Sequence, residues 1–354
     1  MTWPAAGSTC LSRRVSSLPQ SVDGDRPPNH RSFQSWSPMN LSRRAFIESL
    51  GSVALSAIAA PVSAGERTAV PHSAGTERPR SRAPAHACDA HLHIADARFR
   101  HDFPQRFGGA TFNDYRKLQQ RIGVSRAVIV QTKIHGVDHA CLLDALKQLG
   151  PNGRGIGVVT PEVDQAELLR LDAGGVRGLR FSVWNPADAF TTLDMVEPLA
   201  RRIADLGWHV QIHAMADQIV DAAPLLNRLP CPIVFDHMGR LPPAQGADHP
   251  AFGVICRLMD QRKAWVKLTG AYLNTTQGPP DYPDATRIAR AFVAQAPDRL
   301  VWGSDWPHAT EATPPDDARL FDLLGVWAGD EATRSRILVD NPVRLYGFAR
   351  VDAA

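Results

Sequence analysis

Cysteine is scarce, with five in 354 residues, far too few for a disulfide scaffold. The four that follow the leader, Cys88, Cys141, Cys231 and Cys256, form no close pair and sit beside apolar residues. They read as buried free thiols. Net charge is nearly absent, +3 from 39 bases and 36 acids. That excludes a dedicated nucleic-acid binder, whose basic footprint is stronger and clustered. The 28 prolines and 26 glycines exclude long coiled coils, and no apolar run is long enough for a stable membrane span. What is present, 44% hydrophobic and 21% charged residues, is the composition of an ordinary globular protein with one large domain or two small ones.

The small charge is unevenly placed. Residues 1–64 carry six Arg, no Lys and three acids, leaving 33 bases and 33 acids in the rest. Within this leader, Ser42-Arg43-Arg44-Ala45-Phe46-Ile47 precedes an Ala/Ser-rich apolar stretch and then Val62-Ser63-Ala64. Charged region, apolar region and small residues in that order are the layout of an export signal, and the paired Arg marks the twin-arginine type. Residues 39–64 are therefore expected to be a signal peptide, and the mature protein periplasmic or secreted. Residues 1–38 read as a disordered extension, with Met39 as an alternative start. Residues 65–85, rich in Arg, Pro, Ser and Thr, read as a flexible linker.

From residue 86 short apolar runs alternate with amphipathic stretches. Strands are expected over 87–94, 126–131, 155–160, 176–181, 209–213, 233–236, 265–269 and 300–303. Helices are expected over 112–122, 138–149, 163–171, 193–206, 219–229, 252–262, 286–295, 318–327 and 331–339. Eight βα units in 86–350 fit a (β/α)₈ TIM barrel. A dinucleotide-binding open sheet is excluded, because the first strand ends in histidines with no Gly-x-Gly turn.

In such a barrel the chemistry comes from the C-terminal strand ends. Strand 1 ends in Asp89-Ala90-His91-Leu92-His93, and alternation places Asp89, His91 and His93 on one face. Strand 4 ends near Arg180, strand 5 in His213 and strand 6 in Asp236-His237, with Arg240 following. Strand 8 runs into Gly303-Ser304-Asp305-Trp306-Pro307-His308. Taken singly, each has a bland role, such as an N-cap for Asp305 or an ion pair for Arg180. Structural accidents would scatter over both barrel ends, whereas these residues share one rim. The two imidazoles of His-x-His can hold one metal ion, with His213 and Asp305 as third and fourth ligands. They can equally serve as hydrogen-bond donors to an oxyanion without metal. Gln131 and Lys267, at the ends of strands 2 and 7, are weaker substrate contacts.

Three further stretches carry a resemblance: Gly-Val-Arg-Gly-Leu-Arg-Phe at 175–181, Phe-Asp-His-Met-Gly-Arg at 235–240 and Trp-Gly-Ser-Asp-Trp-Pro-His at 302–308. With the histidines they resemble the amidohydrolase superfamily, in the branch that holds 2-pyrone-4,6-dicarboxylate lactonase and sugar-acid lactonases. The resemblance implies a distorted (β/α)₈ barrel over 86–350. It also implies Asp305 as the base that activates water, His91, His93 and His237 around the scissile carbonyl, and Arg180 and Arg240 gripping a carboxylate. The dicarboxylate lactonase has further arginines where this chain has Trp184-Asn185-Pro186 and Gly270-Ala271-Tyr272-Leu273-Asn274. A lactone with one carboxylate or none, such as a sugar-acid lactone, is therefore expected. Trp184, Tyr272 and Trp306 are candidates for a ring-stacking wall, and His308 for a substrate contact. In the family this chain resembles, members that work without metal often lack the residue at His213, so one divalent metal, Zn²⁺ first, and no metal at all both stand open. The expected partner is a small-molecule substrate, and a homo-oligomer is compatible. The rival readings are a zinc-dependent decarboxylase of an aromatic or enoic acid and a non-catalytic periplasmic ligand-binding protein.

Overall fold

The structure, a computed structural model, describes residues 68–100 and 109–350. The expected extension and signal peptide at 1–64 lie outside the described residues. Strands and helices alternate from the start: β1 (Cys88–Leu92), α1 (Phe112–Ile122), β2 (Arg126–Val130), α2 (Ala140–Leu149), β3 (Gly153–Gly157) and α3 (Gln165–Ala173). The chain continues with β4 (Val176–Ser182), α4 (Val196–Ala204), β5 (His209–His213), α5 (Ala216–Asp221), α6 (Ala223–Arg228) and β6 (Ile233–Phe235). It finishes with α7 (Pro250–Asp260), β7 (Ala264–Leu268), α8 (Pro283–Gln295), β8 (Leu300–Trp302), α9 (Asp317–Ala328), α10 (Glu331–Ser335) and α11 (Asn341–Tyr346). The eight strands form one parallel sheet in sequence order. Its ends meet where Asp305 N donates to His91 O at 2.8 Å. This is the expected TIM barrel. Among the described residues no helix is long and apolar enough to cross a membrane.

Local chemistry accounts for the elements. In α1, Thr111 caps the helix and exchanges bonds with Asp114, Phe112, Tyr115, Leu118 and Ile122 turn inward, and left-handed Gly123 ends it. Each such buried side chain contributes about 1.5–3 kcal/mol. The helix expected at 219–229 is instead two, broken at Ala222, because Pro224 has no N–H to continue the ladder of α5. The run expected to end at 339 continues through a wide turn into α11. Pro342 lies in the first turn of α11, where a missing N–H costs nothing.

Two further expectations about the fold are corrected. The first concerns strand 1. Asp89 pairs with Ala127 but Leu92 pairs with Ile129, so β1 carries one extra residue. That bulge reverses the alternation. Cys88 and Ala90 enter the barrel with Val128, Val130, Ile156 and Val301, while Asp89 accepts from Tyr115 of α1 and from Ser304. Beyond the bulge His91 and His93 face the site and Asp89 does not share their face.

The second concerns the linker. Residues 68–85 form a strap laid on the barrel. Arg121, whose side chain is fully buried, donates to Ala74 O and Glu77 O and pairs with Asp316. Asp322 accepts from the backbone of Arg80 and Ser81, Arg334 donates to Arg82 O, and Trp306 Nε1 donates to Pro71 O. The strap's own composition hides this, because the side chains that fix it belong to residues distant in sequence.

Candidate active site

The site sits on the turns that leave β1, β6, β7 and β8. Gly303 lets β8 and β1 close up, since a Cβ there would lie 2.6 Å from His91 Cβ. Asp305 follows with φ +64°, and His237, Met238, Gly239 and Arg240 are four successive left-handed residues. Such backbone costs on the order of 1 kcal/mol or more per non-glycine residue, and hydrogen bonds hold it here. His93 N donates to Trp306 O and His308 N to Asp305 O, at 2.8 and 2.9 Å.

These turns bring His91, His93, His237 and Asp305 together, as the strand-end pattern implied. His91 Nε2, His93 Nε2 and Asp305 Oδ1 lie 3.3–3.4 Å from one another. His237 Nδ1 is 3.9 Å from Asp305 Oδ2. Burial would raise the Asp305 carboxyl, but His237 and His93 beside it hold it well below the usual range. Burial pulls His237 down to about 4 and His91 well below its ordinary value, so both imidazoles are neutral at pH 7.

Proton placement narrows what they can do. His93 Nδ1 lies 2.8 Å from Val130 O and must donate to it. In a neutral ring its Nε2 is then a lone pair, which suits a metal ion and not an oxyanion. His91 Nδ1 stands between the Lys267 ammonium, 3.2 Å away, and Asp236 Oδ1, 3.3 Å away. If Lys267 donates, His91 Nε2–H bonds to His93 and the pair is satisfied without metal. If His91 donates to Asp236, three lone pairs converge. A tetrahedral ion with bonds of about 2.0–2.1 Å spaces its ligands by about 3.3–3.4 Å, the spacing found here. His91, His93 and Asp305 therefore fit a divalent ion. His91, Asp236 and His237 form a second such group among the described residues.

His213 joins neither, which corrects its expected place as a ligand beside His91, His93 and Asp305. Its Nδ1 is 3.1 Å from both Arg180 Nη2 and Ser182 Oγ, and its ring stacks on Trp184. Arg180, expected at the substrate, is spent inside the barrel on Asp236, which it meets at 3.0 Å. Asp236 also accepts from Gln211. Burial would raise the Asp236 carboxyl, yet His91 and Arg180 hold it well below the usual range. Burial brings the Lys267 ammonium down to about 8, with Asp236 opposing.

Arg240 lies over the Trp184 ring at 5.0 Å and has no carboxylate partner among the described residues. Tyr272 OH donates to Asp305 Oδ2 at 2.6 Å. His308 is no substrate contact. It is buried, with one ring nitrogen 3.0 Å from Tyr272 OH and the other 3.1 Å from Asp317. Burial opposes charge on His308, and Asp317 outweighs it and raises its pKa. Trp306 is fully buried against Tyr115 and the strap, so it forms no stacking wall. Gln131 donates to Gly136 O at 2.6 Å and lines a side cavity with Arg180, Ser182 and Thr191. Asp317 and Gln211 escaped sequence reasoning. One starts a helix and the other lies mid-strand, where neither marks a site. All four cysteines among the described residues are buried and free, as expected.

The chain has relatives among known proteins. The family profile described as Amidohydrolase matches residues 88–348. A 2-pyrone-4,6-dicarboxylate hydrolase of Comamonas testosteroni is 34% identical over 286 residues, covering 77% of this chain and 94% of its own. A 4-sulfomuconolactone hydrolase of Rhizobium radiobacter is 35% identical over 275 residues, covering 75% and 91%. The apo crystal structure of an Agrobacterium tumefaciens protein superposes with a TM-score of 0.70 at 29% identity, covering 77% of this chain and all of that one. With its barrel, its rim constellation and these relatives, the chain belongs to the amidohydrolase family and is an enzyme.

Proposed function

We propose that the enzyme hydrolyses a lactone bearing a single carboxylate, with Asp305 as general base. The observation that carries this reading is a buried carboxylate on the catalytic rim, held by Tyr272 and facing His91, His93 and His237. Two relatives that cover most of their own length are lactone hydrolases, which favours hydrolysis over decarboxylation. Asp305 takes a proton from water as the water oxygen attacks the lactone carbonyl. The C–O ring bond then breaks, and Asp305 returns the proton to the departing alkoxide. His237 Nδ1 and His213 Nε2 are buried nitrogens without partners, on rings 4.8 Å apart. They supply donors for the oxyanion. Where His91, His93 and Asp305 hold a divalent ion such as Zn²⁺, it adds Lewis-acid polarisation of the carbonyl. Metal analysis of protein purified without chelator decides whether the ion is held: one ion per chain supports it, whereas metal-free active protein leaves hydrolysis to the side chains alone and excludes the metal-dependent decarboxylation.

With Arg180 committed to Asp236, Arg240, packed on the Trp184 ring, is the cation left for the substrate carboxylate. Arg240→Gln is expected to raise KM for carboxylated lactones by about 10–100-fold while leaving uncharged lactones unaffected. Equal losses on both substrate classes would remove this role. We propose also that residues 39–64 direct twin-arginine export to the periplasm. N-terminal sequencing that begins after Ala64 supports this, and an intact leader on the mature protein contradicts it.

A further inference from the structure

Behind Asp305 runs a line of buried groups that the hydrolysis itself does not consume. A phenol has one proton, and Tyr272 gives it to Asp305 Oδ2 over 2.6 Å. Its oxygen is then only an acceptor toward His308 Nδ1, 3.0 Å away, so the imidazole donates. The other nitrogen of His308 donates to Asp317 Oδ2 at 3.1 Å. The side chains of His308 and Asp317 are both fully buried, which leaves water no way to replace either bond. Both ring nitrogens of His308 therefore carry protons, one given to Tyr272 and one to Asp317, which leaves the Tyr272 proton for Asp305.

Asp317 has no simpler duty in its helix. The cap of α9 is Asp316, which accepts from Ala318 N. Asp317 spends one oxygen on His308, and the other has no partner. Its backbone N is tied to Ser73 Oγ of the strap, so the far end of the line is fixed to the scaffold.

We propose that Asp317, acting through His308 and Tyr272, is a positioning residue for Asp305. It fixes the carboxylate by Oδ2, so that Oδ1 stays turned toward His91 and His93. This rests on the reading of Asp305 as the base. Without the line the carboxylate is free to turn about its Cβ–Cγ bond, and fewer encounters place a lone pair on the attacking water. Outer partners of a catalytic group are worth about 10–100-fold. Asp317 is buried behind Tyr272 and His308, so its loss falls on kcat and not on KM.

The test is a double-mutant cycle in the full-length enzyme, on a lactone that the wild type opens. Asp317→Asn is expected to lower kcat by about tenfold or more with KM unchanged within about twofold. In a Tyr272→Phe background the line is already cut, so adding Asp317→Asn should cost nothing further. An unchanged kcat in Asp317→Asn, or the same loss in both backgrounds, overturns the proposal. The two readings fail differently. If Asp305→Asn retains activity, the base assignment falls and the positioning role with it. If Asp305→Asn is inactive while Asp317→Asn and Tyr272→Phe match wild type, only the positioning role falls.

Discussion

Asp305→Asn is expected to lower kcat by about 10²–10⁴-fold while the barrel stays folded. The amide nearly matches the carboxylate in size and can keep the contact with Tyr272, but it cannot take a proton from water. Its partners at the rim are Tyr272 and three imidazoles, and among the described residues no Arg or Lys is paired with it to be left unbalanced. Steady-state kinetics on an opened lactone, with a thermal melt alongside, checks both parts. Wild-type turnover in the variant contradicts the assignment. Loss of turnover together with loss of fold would place Asp305 in the scaffold instead.

The largest stability effect is expected at Asp236. This buried carboxylate meets Arg180, Gln211 and His91 at once, with Lys267 3.9 Å away. Removing its charge leaves two buried cations without a counter-ion. Asp236→Asn should therefore cost about 3–5 kcal/mol of unfolding free energy, read from denaturant midpoints at constant slope. The pH dependence has a definite sign. The folded-state pKa lies well below the unfolded value, which is about 3.9. The contribution of Asp236 is thus fully present above that pH and is lost as pH falls toward the folded-state pKa. The gap between wild type and variant should be constant near neutrality and narrow below about pH 4. A gap of under about 1 kcal/mol at pH 7 would mean that the central ion cluster adds little to the fold.

The barrel and its rim were legible because both rest on local signals. Strand runs such as Arg126–Val130 and His209–His213 alternate with helical periods, and a parallel barrel places every strand's end on one rim. His91, His93, His237 and Asp305 were readable for that reason. What stayed hidden depends on contacts between distant residues. The bulge in β1 is set by its register against β2 and sends Asp89 to Tyr115. The strap is fixed by Arg121, Asp322 and Arg334. Arg180 looked like a free clamp until the fold put Asp236 against it. Trp306 and His308 looked like rim residues, but the turn after β8 folds both inward, one onto the strap and one onto Asp317. A strand-end residue's address is thus readable from sequence, whereas the direction its side chain takes is a tertiary fact.

The central claim is hydrolysis of a cyclic ester by water that Asp305 activates. Its most direct test runs the reaction in H₂¹⁸O on a panel of lactones with none, one and two carboxylates, followed by mass spectrometry of the products. A monocarboxylated lactone is expected to open fastest, and its product to carry one heavy oxygen, in the newly formed carboxylate. Asp305→Asn should give no labelled product. Loss of CO₂ from the substrate, or a rearranged product of unchanged mass without label, would mean that Asp305 does not activate water for ring opening.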